Sequence, residues 1–324
     1  MIFQTIRDRL TRGEARWGAL PPMVRGALWM ILAGLLFSIM GVLVKLLGHR
    51  LESAQVAFFR AGFGFLAVLP FALRAGSAVL RPRRPWLHLL RGTIGAGGMM
   101  CGFYSLTHLP LAEATTYGFT KPLFLVLLAA LFLGERVRTR RLSATLVGFV
   151  GVVVMMGPGM TAEPAALVAL TGAALVAGVV VTVKLLLRSD RPITVMFWFG
   201  ILSTTFTLLP AVWVWTPPTS DELLLLVLTG ALGASAQGAT IRAYLAAEAT
   251  ALAPFGYLQL LFATLLGYLV FSELPGLRTW LGAAIIILAT GYIAHREAQL
   301  HRRARPQEIP PATSGAVVSH LSRD

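Results

Sequence analysis

Residues 121–141 read KPLFLVLLAALFLGERVRTRR. From Leu123 to Leu133 every side chain is apolar; the stretch then meets Gly134, Glu135 and four arginines, Arg136, Arg138, Arg140 and Arg141. A helix that is apolar on every face has no water-facing side and belongs in a large core or in lipid. Arginines crowded at its end mark a cytoplasmic headgroup boundary. Outward from this segment the pattern recurs. Ten apolar runs lie near 26–47, 54–73, 90–107, 112–132, 140–157, 164–186, 193–213, 223–244, 249–272 and 278–295. Each has about the 20 residues needed to cross hydrocarbon. Such spans must be helices, because an unpaired backbone group finds no partner in lipid. None alternates with the period of two that a membrane β-strand requires.

Composition agrees. The 324 residues are 56% hydrophobic and 13% charged, against roughly 45–50% and 25% in soluble domains. Too few polar side chains remain to coat a soluble core, which excludes a soluble enzyme, a DNA-binding domain and a disordered chain. A single cysteine, Cys101, excludes an internal disulfide and reads as a small hydrophobe. The six histidines show no ligand spacing, so no metal is expected. Gly95-Ala96-Gly97-Gly98 lacks the lysine of a phosphate loop, and no cofactor is expected.

The net charge of +14 comes mainly from arginine clusters between the runs. That placement reports topology and contact with anionic membrane lipids, not nucleic acid. Segments 1–25, 74–91, 136–141, 188–191 and 296–323 hold 21 arginines, whereas the alternate loops hold only Arg50 and Arg278. Both termini are therefore expected in the cytoplasm, in the inner membrane of a bacterium. Within residues 1–25, Ile2, Phe3, Ile6 and Leu10 recur among the arginines and suggest an amphipathic helix on the membrane surface. Residues 297–324 are polar and proline-bearing, and are expected to be disordered.

The two halves of the chain, 26–157 and 162–295, echo each other at an offset of about 138–140 residues. Val44-Lys45-Leu46-Leu47 returns as Val183-Lys184-Leu185-Leu186, Gly92 and Gly95 as Gly230 and Gly233, and Tyr117-Gly118-Phe119 as Phe255-Gly256-Tyr257. Glu135 returns as Glu273. The repeat unit holds five helices, an odd number, so the second copy enters the membrane inverted. Inverted repeats are a transporter architecture, with the solute site near midplane where the halves meet. The expected fold is thus an all-α integral membrane protein of ten transmembrane helices in two inverted five-helix repeats.

The stretches at 122–135, at 253–259 (Ala-Pro-Phe-Gly-Tyr-Leu-Gln), at 271–275 (Phe-Ser-Glu-Leu-Pro) and at 292–297 (Tyr-Ile-Ala-His-Arg-Glu) resemble the drug/metabolite transporter superfamily, in particular bacterial permeases with two EamA domains. The resemblance spans about 26–295. It departs at Ser272, where the family pattern often has glycine. It implies a secondary transporter, not an enzyme, moving an amino acid or related metabolite, S-adenosylmethionine or riboflavin.

Lys121 lies mid-way along the fourth run. A charge at the bilayer centre costs at least about 2.5–3.5 kcal/mol, so it should face a cavity or be held by carbonyls inside the bundle. Pro122 removes a helix donor beside it. Its repeat partner is Gln259. Tyr117, Phe255 and Tyr257 join these two as candidate substrate-binding residues, with Gln237 mid-way along the eighth run and Tyr104 and Arg60 nearer the span ends. Arg60 either meets substrate, pairs with Glu113, or snorkels to headgroups. Lys45 and Lys184 sit at span ends, where snorkelling is expected. Arg242 and Glu248 form a candidate gate pair. Glu135 and Glu273 are expected to hydrogen-bond a neighbouring helix end. Gly98 and Gly102 allow close helix contact. Cation excess over central carboxylates favours a solute carrying an anionic group. A flippase for a lipid-linked substrate is the alternative; a membrane-embedded transferase lacks the paired acidic or nucleophile–base motif it needs. With both halves in one chain, a monomer or a homodimer is expected.

Overall fold

The computed structural model describes residues 20–132, 139–156, 164–247, 252 and 255–304. Regular structure among the described residues is entirely helical: α1 (Pro22–Leu47), α2 (Ser53–Arg74), a 3-10 turn (Ser77–Leu80), α3 (Pro85–His108), α4 (Leu111–Gly118), α5 (Lys121–Phe132), α6 (Thr139–Met156), α7 (Pro164–Leu186), α8 (Pro192–Trp213), α9 (Ser220–Ala246), α10 (Leu258–Phe271) and α11 (Leu277–Ala304). Pro22, Pro85, Pro164 and Pro192 each occupy the first position of a helix, where proline's preset φ suits the backbone and its missing N–H leaves nothing unpaired. α9 opens on a capping box: the Thr219 N–H donates to Glu222 Oε2 at 2.7 Å, and the Glu222 N–H to Thr219 Oγ1 at 3.3 Å.

Three departures from the expected runs have a clear local cause. α3 starts at Pro85, about five residues before the apolar run, because proline opens a helix regardless of hydropathy. The fourth run is two helices: α4 stops at Gly118 and α5 begins at Lys121. Pro122 has no N–H for the Gly118 carbonyl, and the chain tightens instead, with the Phe119 N–H on Thr116 O (2.9 Å) and the Thr120 N–H on Tyr117 O (3.0 Å). α11 runs on to Ala304, past the expected helix end near 295, through residues of good helix propensity.

Five helices, α1, α2, residues 164–183 of α7, α8 and α9, are long and apolar enough to cross a membrane by length and composition. α3 is long but carries His88 and Arg91 buried inside the bundle; a helix walled by protein need not be apolar all round. The distribution of side chains is inverted relative to a soluble protein. Gln55, His88, Arg91, Thr116, Ser203 and Thr207 are buried, while Leu66, Phe71, Leu209, Trp213, Leu245, Leu269 and Leu288 are more than half exposed. An apolar exterior of this kind requires lipid, and the chain is a multi-pass membrane protein.

The helices pair across the chain more than along it. α1 packs on α9 and α10, α3 on α7 and α8, α2 on α8 and α9, α5 on α7, and α6 on α11. Close approach fixes several seams. A Cβ at Gly172 of α7 would lie 2.9 Å from Cys101 Cβ of α3, and one at Gly98 3.0 Å from Val176. A Cβ at Gly151 would sit 3.0 Å from the Gly282 carbonyl, and one at Gly230 2.9 Å from the Gly64 nitrogen. With no water to expel between helices in lipid, such contacts supply much of the association energy.

Candidate functional site

A cavity of about 210 Å³ opens between α1, α3, α4, α5, α7 and α10. Its wall is mostly apolar or glycine: Phe37, Met40, Gly41, Gly98, Gly102, Leu106, Leu111, Ala169, Gly172 and Phe119 contribute. The polar groups are few: Ser38, Ser105, Thr115, Lys121 and Gln259. A large apolar surface with a few placed polar groups is what a small-solute site requires.

Each polar group is positioned by its helix. Ser38 donates back to Gly34 O (2.9 Å) and across to Gln259 O (3.2 Å), and a Cβ at Gly34 would stand 3.3 Å from Gln259 Cβ. α1 is thereby pressed against the start of α10. Ser105 donates to Cys101 O at 2.8 Å and approaches Ala165 O at 3.4 Å. Thr115 donates to Leu111 O at 2.7 Å. Lys121 differs. It is the first residue of α5, it borders the cavity, and it makes no hydrogen bond or ion pair with the described residues. A cation at a helix N-terminus is placed against the dipole, so ammonium and helix end together favour an anionic group in the cavity.

At one end the cavity is roofed by Leu106 and Leu111, the latter packed among Val42, Ala263, Leu266 and Phe271. Above that roof sits a polar tie. Lys45 donates to Leu109 O at 2.8 Å and pairs with Glu273, whose other oxygen accepts the Leu111 N–H at 2.9 Å. Lys45 is only 11% exposed. The expectation that it snorkels is corrected: the Leu109 carbonyl and the Glu273 carboxylate offer it stronger partners than headgroups do. Glu273 does meet a neighbouring helix end, the first turn of α4. It is aimed there by Ser272, whose φ of 56° is left-handed and turns the chain at the end of α10; the glycine of the family pattern occupies a position where L-residues are strained.

The remaining candidates scatter. Tyr117 is 1% exposed, packed with Leu109, Val152, Ala165 and Ile286, and does not line the cavity. Tyr104 stacks on His108 at 3.9 Å. Tyr257 meets Phe119 edge-to-face at 5.3 Å, while Phe255 packs among Ala27, Met30 and Leu252. Arg60 and Gln237 line a separate, smaller cavity. Of the three readings of Arg60, the pair with Glu113 is not formed: Arg60 Nη1 points at Met99 Sδ (3.4 Å), and Arg60 turns toward Gly233, where the absence of a side chain leaves room. Glu113 lies in the first turn of α4. Arg242 is exposed and lies 4.8 Å over the Trp29 ring. Glu135 and Glu248 lie outside the described residues, as does the Lys184 side chain. Sequence reasoning overlooked Ser38, Ser105 and Thr115; the signal was clearest at Ser38, which is flanked on both sides by apolar residues. It also read Arg91 as a loop cation; the signal that could have corrected this is Pro85 at the helix start.

The EamA-like transporter family model matches residues 24–157 and again 163–294. The chain belongs to that family. It is 35% identical over 280 residues to an S-adenosylmethionine uptake transporter of Rickettsia prowazekii, covering 86% of this chain and 95% of that one. It is 37% identical over 284 residues to a riboflavin transporter of Rhizobium johnstonii (86% and 94% covered), and 32% identical over 268 residues to a pseudopaline exporter of Pseudomonas aeruginosa (82% and 94%). A crystal structure 22% identical in sequence shares the fold, with a TM-score of 0.56 over 87% of this chain and 99% of that one. The EamA transporter thus carries its central cavity at the meeting of helices from both matched segments.

Proposed function

We propose that this chain is a secondary transporter of the bacterial cytoplasmic membrane that moves a small carboxylate-bearing solute by alternating access between two inverted five-helix halves. Both termini face the cytoplasm, and the monomer is the working unit. The observation that carries the substrate class is Lys121, a cation that pairs with none of the described residues, at the helix break bordering the cavity. Buried charges need compensation, and here the solute supplies it. Among the chemistries borne by the relatives' names, S-adenosylmethionine has an α-carboxylate and riboflavin has no anionic group, so the amino-acid type fits better. The halves are supported by the double family match and by the helix pairing, in which α1 with α9 is matched by α3 with α7 when the halves are exchanged. In this orientation the Lys45–Glu273 tie faces outside and closes the cavity from that side.

The test is counterflow in proteoliposomes with labelled S-adenosylmethionine, amino acids and riboflavin. Saturable exchange of a carboxylate-bearing solute, lost in Lys121→Ala at unchanged protein abundance, is expected. Exchange retained in Lys121→Ala, or seen with riboflavin alone, overturns the reading.

A further inference from the structure

The second cavity, about 30 Å³, lies between α2, α3, α8 and α9 and is bordered by Arg60, Arg91, Phe199 and Gln237. Arg91 is 2% exposed. Its guanidinium lies 4.1 Å over the Phe199 ring, and its Nη1 reaches Val195 O at 3.3 Å. Nε of Arg91 and Nε of Arg60 are both buried without a hydrogen-bond partner. No carboxylate borders the cavity, and neither arginine forms an ion pair among the described residues.

Guanidinium does not lose its proton in proteins, so two like charges share one water-poor space. A cation–π contact and one long bond to a carbonyl offset only part of that cost. Gly233 makes the arrangement specific: a Cβ there would stand 2.7 Å from Arg60 Nε and displace it from the cavity. Two cations with unspent donors thus border a space large enough for one or two water-sized groups.

We propose that the Arg60–Arg91 cavity binds one compact monoanion, either a free halide-sized ion or a single carboxylate group. The site joins α2 and α3 to α8 and α9 near Arg91, early in α3, whereas the Lys121 cavity meets α3 further along, from Gly98 to Leu106, and it does not depend on that cavity being the transport site.

The experiment is equilibrium binding of ³⁶Cl-labelled chloride to the purified full chain in detergent, in a gluconate background at fixed ionic strength, with acetate as competitor. A chloride site that depends on both arginines is expected, weakened about tenfold or more in Arg91→Met and in Arg60→Met, as for loss of charge-assisted hydrogen bonds. Arg60→Lys, which keeps the charge and shortens the reach, serves if the methionine variants fail to fold, and is expected to weaken binding as well. Displacement of chloride by acetate identifies a site open to carboxylates; failure of acetate to compete identifies a halide site. Neither chloride nor labelled acetate binding to the wild-type chain, or binding equal to wild type in the folded arginine variants, overturns the proposal.

Discussion

Removing Glu273 tests the tie that closes one end of the bundle. In Glu273→Ala the Leu111 N–H loses its acceptor, and Lys45 keeps the Leu109 carbonyl and the face of Phe271, 5.2 Å away. A part-buried amide left unpaired costs about 1–3 kcal/mol. The lost ion pair adds roughly 1 kcal/mol, because Glu273 is 24% exposed and water replaces part of what is lost. The expected destabilisation is about 2–4 kcal/mol. Glu273→Gln keeps an oxygen for Leu111 and gives up only the charge, so about 1 kcal/mol is expected. Denaturant unfolding of the purified chain in detergent, followed by circular dichroism, measures each value. The sharper assay is the cycle of Glu273→Ala with Lys45→Met, where contacting partners should couple by about 1–2 kcal/mol. Additive single effects, or a Glu273→Ala loss below about 0.5 kcal/mol, would refute the tie as drawn.

Two glycines of the α3–α7 seam should respond in opposite ways. Gly172→Ala forces α3 and α7 apart, since its Cβ meets Cys101 Cβ at 2.9 Å, and about 1–3 kcal/mol of stability should be lost. Gly102→Ala meets nothing within 4 Å, so thermal stability should hold or rise by up to about 1 kcal/mol from helix propensity, while the narrower cavity lowers solute affinity in the counterflow assay. Ser272→Gly relieves a left-handed residue and should stabilise the chain by about 0.5–1 kcal/mol in denaturant unfolding. For orientation, cysteine placed at Arg138 in a Cys101→Ala background should react with a membrane-impermeant maleimide only from the cytoplasm, and cysteine at Gly276 only from outside; the reverse pattern inverts the topology.

Hydropathy read the helices closely where a run faces lipid at both ends. The run at 164–186 is α7 (Pro164–Leu186), and that at 193–213 is α8 (Pro192–Trp213). It failed where local backbone chemistry overrules apolarity: at Pro122, which splits a continuous run, and at Pro85, which draws Arg91 into the bundle. The site was legible in part. Lys121 and Gln259 do share a cavity, since charge in a lipid span points inward whatever its partners. Tyr117 shows the limit: an aromatic in mid-span fits a cavity wall and a packed interface equally well, and only the neighbours decide. Lys45 and Glu273 are 228 residues apart, and nothing in either local sequence names the other.

The cross-pairing of helices also bears on how the chain is made. About 170 residues separate the end of α1 from the start of α9, its main neighbour. At 5–20 residues per second, α1 waits in the bilayer for roughly 10–35 s before that neighbour is synthesised. Meanwhile Gly26 and Gly34, the side on which α9 and α10 will settle, face acyl chains or other early helices. The helices of the first matched segment therefore insert as a loose set whose final shape awaits those of the second. Each segment expressed alone would be an incomplete surface, and co-expression of 1–160 with 161–324 is the form in which a divided chain should regain its fold.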